Sequence, residues 1–179
     1  MSKLVFVTGG ARSGKSRFAE KKILELIHPG ESVSFIATGE AMDDDFRKRI
    51  EIHRKNRDPR FKTTEESINL ASALEQSFSA GHAAVLECIT TWLGNIFFKL
   101  PQTERESFAL SELDVVFSLL EARRENILFI VSNELGLGLV PPDTENRSYR
   151  DIHGRLNQRI AGRADEAYFI ISGIPMRLK

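Results

Sequence analysis

The run Gly9-Gly10-Ala11-Arg12-Ser13-Gly14-Lys15-Ser16, set directly after the apolar Leu4-Val5-Phe6-Val7, constrains this chain more than any other feature. Its spacing fits G-x-x-x-x-G-K-[ST], a phosphate-binding loop, and the flanking pattern of strand before and amphipathic helix after is the one that loop requires. Glycines at 9, 10 and 14 permit positive φ and close backbone approach, so successive N–H groups can face phosphate oxygens. The helix beginning near Lys15 adds the positive end of its dipole. Lys15 is expected to reach the β- and γ-phosphates, and the Ser16 hydroxyl to ligate Mg²⁺.

The remaining chain agrees with such a site. Strand-length apolar runs recur at residues 3–8, 32–38, 83–90, 127–132 and 166–172. Most are continuous rather than alternating, as in strands covered on both faces. Helical spacing fills residues 15–27, 43–56, 68–78, 90–99, 104–125 and 145–162. The expected fold is therefore α/β, a RecA-like P-loop NTPase with a mostly parallel sheet flanked by helices. Ser172-Gly173 signals a turn, after which residues 175–179 are expected to return as an antiparallel edge strand. The 179 residues suit a single domain over 1–179. Acidic and basic side chains balance at 25 each, which argues against nucleic acid as a partner. No stretch approaches a membrane span and the single Cys88 can form no intrachain disulfide, so a cytoplasmic protein is expected. Cys88 is read as a small buried apolar side chain.

Two further residues stand out. Glu87 ends the apolar Ala84-Val85-Leu86 run, where a carboxylate is costly unless it meets a cation or donors, and it is the expected second Mg²⁺ ligand. Met42, Phe46, Ile50 and His53 share one face of the expected helix, which by itself reads as a core-facing histidine. Yet Arg47, Lys48, Arg49, Arg54, Lys55, Arg57 and Arg60 make its neighbourhood basic. Such surroundings attract triphosphate and favour a neutral, nucleophilic imidazole, although a solvated basic helix face is the plainer reading. His153 has no evident role. Arg147, Asp151, Arg155 and Arg159 form a charged stripe opposite Ile152, Leu156 and Ile160, either solvated or a phosphate or subunit contact.

A lone phosphate loop names no reaction. The longer blocks do: TGGARSGKSRFAE at 8–20, FIAT at 35–38, RI-x-x-H at 49–53, LECITTWLGN at 86–95, NELGLGLVP at 133–141 and RDIHGRLNQRIAGRADE with ISGIP across 150–175. Together they resemble the bifunctional adenosylcobinamide kinase/adenosylcobinamide-phosphate guanylyltransferase family of adenosylcobalamin biosynthesis. The resemblance implies phosphorylation of the aminopropanol hydroxyl of adenosylcobinamide by a nucleoside triphosphate, then transfer of GMP from GTP to that phosphate. It places the guanylyl group on His53. It also implies nucleotide contacts at the loop residues from Gly9 to Ser16, at Ala37, Thr38 and Gly39, at Arg54, Lys55, Asn56 and Arg57, and at Glu65 and Glu87. ATP and GTP are the implied cosubstrates, a corrinoid the acceptor, and a homo-oligomer, with a trimer as its form, the assembly. The competing readings are a stand-alone P-loop small-molecule kinase and a GTP-binding regulatory protein without catalysis.

Overall fold

The computed structural model describes residues 1–40 and 57–179. The helix expected over 43–56, and with it His53, Arg54, Lys55 and Asn56, lies outside the described residues.

Seven strands form one sheet in the order β3-β2-β4-β5-β1-β6-β7. They are β1 (Lys3–Gly9), β2 (Val33–Ala37), β3 (Phe61–Glu65), β4 (Ala83–Glu87), β5 (Ile127–Val131), β6 (Glu166–Ile171) and β7 (Ile174–Arg177). Each pairing is parallel except β6 with β7, which is antiparallel. The described helices are α1 (Lys15–Leu24), α2 (Leu70–Ala80), α3 (Ile89–Lys99), α4 (Arg105–Glu121) and α5 (Thr144–Arg163). The antiparallel return expected near the end is present and begins at Ile174. One strand was not expected: Phe61–Glu65 reads as a loop because only Phe61 of Phe-Lys-Thr-Thr-Glu is strongly apolar. As the sheet's edge, β3 buries Phe61 and leaves the rest half-buried or exposed, so it lacks the apolar run of the central strands.

Burial on both faces explains the continuous runs. Along β1, Leu4 and Phe6 face α2 to α5, while Val5 and Val7 face α1; Leu128 and Ile130 of β5 alternate with Phe129 and Val131 in the same way. Trp92 of α3 is fully buried in the larger layer, and its indole N–H donates to the Ile68 carbonyl at 2.8 Å. Truncating it to alanine would cost about 3–5 kcal/mol.

Ion pairs fasten α5 to α4. Arg155 bonds Glu106, Arg159 bonds Asp114 and Arg163 bonds Glu121. Arg147 instead donates to the carbonyls of Pro141 and Pro142, at 3.0 and 2.6 Å. The charged stripe is thus largely committed to helix packing and to the loop before α5, while Ile152, Leu156 and Ile160 fill the core beneath it.

Candidate functional site

The phosphate loop lies where β1 gives way to α1. Backbone φ is positive at Gly9 (147°), Arg12 (56°) and Gly14 (97°). Arg12, rather than Gly10, takes the third left-handed position, a correction to the reading from glycine content. Gly9 has a second constraint: a Cβ there would stand 2.4 Å from the Ile170 carbonyl oxygen on β6. Side chains are excluded because two backbones meet at that point. The turn between β6 and β7 closes over the loop, with Gly173 N–H donating to the Ser13 carbonyl at 2.8 Å.

Lys15 folds back over the loop, its Nζ donating to the Gly10 carbonyl at 2.6 Å. Burial pulls its pKa below the ordinary lysine value, against the opposing pull of Cys88 and Glu87. An ammonium has three protons, so this contact leaves donors for phosphate. Ser16 Oγ donates to Glu87 Oε1 at the carboxyl end of β4, bringing the two expected Mg²⁺ ligands together.

Beside them, Thr38 ties the exit of β2 to that of β4. Its hydroxyl accepts from Cys88 N–H at 2.8 Å and lies 2.8 Å from the Cys88 carbonyl oxygen. Asn95 Nδ2 donates to the Thr38 carbonyl at 2.8 Å and the Ser67 carbonyl at 3.1 Å. Cys88 is more than a packing residue. It is the N-cap of α3, its Sγ accepting from Thr91 N–H at 3.4 Å, and burial pushes its thiol pKa up. Ala37 ends β2 and Gly39 lies just beyond it. Arg57 is engaged within the protein: Nε bonds Glu20 at 3.2 Å, one terminal nitrogen donates to Thr63 Oγ1 at 2.8 Å, and the guanidinium lies 3.4 Å from the Phe35 ring centre. Glu65 ends β3 in register with Ala37.

Beside Gly39, an expected nucleotide contact, residues that the sequence does not single out line a cavity of about 560 Å³ between α3 and the start of α5, among them Thr90, Phe97 and Tyr149. Behind it lies His153, 1% exposed and held by burial at a pKa of about 4. The available signal was its place on α5, one residue from the buried Ile152 and three from Leu156.

Residues 5–178 match the family model described as cobinamide kinase / cobinamide phosphate guanyltransferase. The chain belongs to that family. It is 37% identical over 184 residues to the bifunctional adenosylcobalamin biosynthesis protein CobU of Salmonella typhimurium, covering 98% of this chain and 99% of the relative. It is also 40% identical over 179 residues to the corresponding protein CobP of Pseudomonas aeruginosa, with coverages of 97% and 95%. Among solved structures, a KaiC-like protein of Pyrococcus horikoshii aligns with 94% of this chain and 70% of its own, at TM-score 0.50 and 16% identity. The flagellar accessory protein FlaH of Methanocaldococcus jannaschii aligns with 99% and 78%, at TM-score 0.52 and 12% identity. These establish the RecA-like P-loop fold. Membership in the cobinamide kinase/guanylyltransferase family establishes an enzyme of adenosylcobalamin biosynthesis that acts on cobinamide with nucleotide cosubstrates. None of the described helices is long and apolar enough to cross a membrane.

Proposed function

We propose that both transfers use the triphosphate held by the loop from Gly9 to Ser16, and that His53 carries the guanylyl group. In the first step the cobinamide hydroxyl oxygen attacks the γ-phosphorus, the diphosphate leaves and the hydroxyl proton is lost. In the second, an imidazole nitrogen of His53 attacks the α-phosphorus of GTP and pyrophosphate leaves. A cobinamide-phosphate oxygen then displaces the imidazole from that phosphorus, giving the GDP-linked product. Two displacements let one site serve two bulky partners in turn, whereas γ-transfer needs only positioning and charge neutralisation. The observation that carries the reading is the convergence of Lys15, Ser16 and Glu87 on one loop. For His53, support comes from the family match and the basic residues around it in sequence.

Ser16 and Glu87 fit Mg²⁺: a hydroxyl and a carboxylate oxygen are in contact, both hard donors. Among the described residues no group of three or more His, Cys, Asp or Glu could hold a metal ion. That suits an ion taking few protein ligands and completing its shell with phosphate and water. When bound, it neutralises phosphate charge. Ala37, Thr38, Gly39, Arg54, Lys55, Asn56, Arg57 and Glu65 complete the proposed nucleotide contacts. A homo-oligomer, trimeric by resemblance, and a cytoplasmic setting belong to the same proposal.

Incubation with Mg²⁺ and GTP labelled at the α-phosphate tests the histidine. The expected result is an acid-labile, base-stable protein adduct that His53→Ala abolishes. An active kinase that forms no adduct would overturn the covalent route and leave the stand-alone kinase as its replacement.

A further inference from the structure

The cluster behind the cavity has hydrogen bonds whose directions can be assigned atom by atom. His153 lies almost parallel to Tyr149, with ring centres 6.1 Å apart and planes at 19°. Its Nε2 is 3.0 Å from Thr90 Oγ1 and 3.2 Å from Ser132 Oγ. Asn157 Nδ2 donates to the Asn133 carbonyl at 3.0 Å, which turns Asn157 Oδ1 toward Ser132 Oγ, 2.7 Å away. The Ser132 proton goes to this amide oxygen or to the Asn133 carbonyl 3.3 Å away, both of which only accept, so the serine oxygen offers His153 lone pairs alone. A bare Nε2 would set its lone pair against those of the serine oxygen at 3.2 Å, so we place the imidazole proton on Nε2, where it faces both oxygens as a donor. Thr90 Oγ1 then accepts twice, from Nε2–H and from Asn133 N–H at 3.0 Å. With both lone pairs occupied, its own proton is the remaining capacity. Within the protein that proton can turn to the Cys88 sulfur, a weak acceptor.

Thr90 lines the cavity of about 560 Å³, and so do Asn95, Phe97 and Tyr149. The charged residues lining it among the described ones are Glu40 and Glu145, each already paired, with Lys99 and Arg105 respectively. Among the described residues, no lysine or arginine lines it to receive a phosphate. The volume exceeds what a nucleobase needs and lies in the range of pockets for larger molecules. Its α3 and α5 walls belong to the face of the sheet opposite α1, the helix that follows the phosphate loop, yet Thr90 is three residues from Glu87.

We infer that Thr90 is a specificity-determining donor for the acceptor substrate: its hydroxyl, with its lone pairs taken by Asn133 N–H and by His153 as positioning residue, turns its proton from the Cys88 sulfur to a carbonyl oxygen of the corrinoid's amide side chains seated in this cavity. The inference rests on the proposed use of the phosphate loop by the triphosphate, and its test separates the two. In the kinase half-reaction, Thr90→Val should raise KM for cobinamide about five- to tenfold, the loss of one neutral hydrogen bond. The KM for ATP and kcat should stay within about twofold, and Thr90→Ser should restore cobinamide KM. A second measurement uses the wild-type chain and does not depend on how the variant folds. Nitrogen-15 spectra of the labelled imidazole should show Nε2 protonated and Nδ1 bare, with Nε2 shifting on addition of cobinamide and not of GTP. Unchanged cobinamide KM in Thr90→Val, a rise in nucleotide KM instead, a protonated Nδ1, or a shift with GTP alone would each overturn the inference. The adduct assay on His53 would be untouched by any of them.

Discussion

Protonation of His153 should set how this fold fails in acid. The folded side chain titrates at about 4 because burial strips water from the charged form, whereas the same imidazole in the unfolded chain titrates near 6.5. The folded value is the lower one, so the unfolded chain takes up the proton first. Stability from keeping this group neutral is fully present above pH 6.5 and is lost as pH falls from there to about 4. Across that window, at about 1.4 kcal/mol per pH unit, the loss comes to about 3 kcal/mol. That is a large share of a net stability of about 5–15 kcal/mol. The comparison protein is His153→Gln, which keeps an amide N–H to face Ser132 and Thr90 but does not titrate. Urea unfolding of both proteins in steps from pH 7.5 to pH 4 isolates the histidine, since the carboxylates titrate alike in each. The wild type should lose about 3 kcal/mol more than the variant over the series. Stability curves that run parallel would refute the reasoning, because a buried neutral imidazole cannot leave the pH dependence unchanged.

Other outcomes follow from the same geometry. Gly9→Ala should cost about 3 kcal/mol and abolish nucleotide binding, because the new Cβ meets the Ile170 carbonyl at 2.4 Å in a backbone region unsuited to alanine; thermal unfolding and nucleotide titration check both effects. Glu87→Gln should raise the Mg²⁺ concentration for half-maximal kinase activity at least about tenfold while the fold persists, read from Mg²⁺ titrations. A double-mutant cycle on Arg159 and Asp114 should return less than about 1 kcal/mol, because both side chains are exposed at 41% and 48%.

The sequence made the phosphate site legible because its chemistry is local: loop, cation and hydroxyl occupy eight consecutive residues, and the strand and helix that frame them carry their own periodicity. Glu87, which the fold brings against Ser16, stands out in the sequence for a different reason, as a charge misplaced in an apolar strand. The Thr90 cluster does not. His153, Ser132, Asn157 and Thr90 come from α5, the exit of β5 and the start of α3, and each alone resembles an ordinary polar residue. Only the packing of α5 against α3 assembles them. Strand β3 was missed because an edge strand needs few apolar residues, and Cys88 was read as packing because thiol capping has no sequence pattern of its own.

The contact between Gly173 and Ser13 has a consequence for the order of assembly. The phosphate loop is encoded within the first 16 residues, yet it is clasped by a turn more than 150 residues later, and β1 is flanked by β5 and β6 rather than by its sequence neighbour β2. A chain emerging from the ribosome therefore carries its nucleotide motif long before it has the strands that shape it. Loop closure over such separations is slow and yields little until the last strands dock. Competence to bind a nucleotide should arrive late and all at once, when the last strands dock.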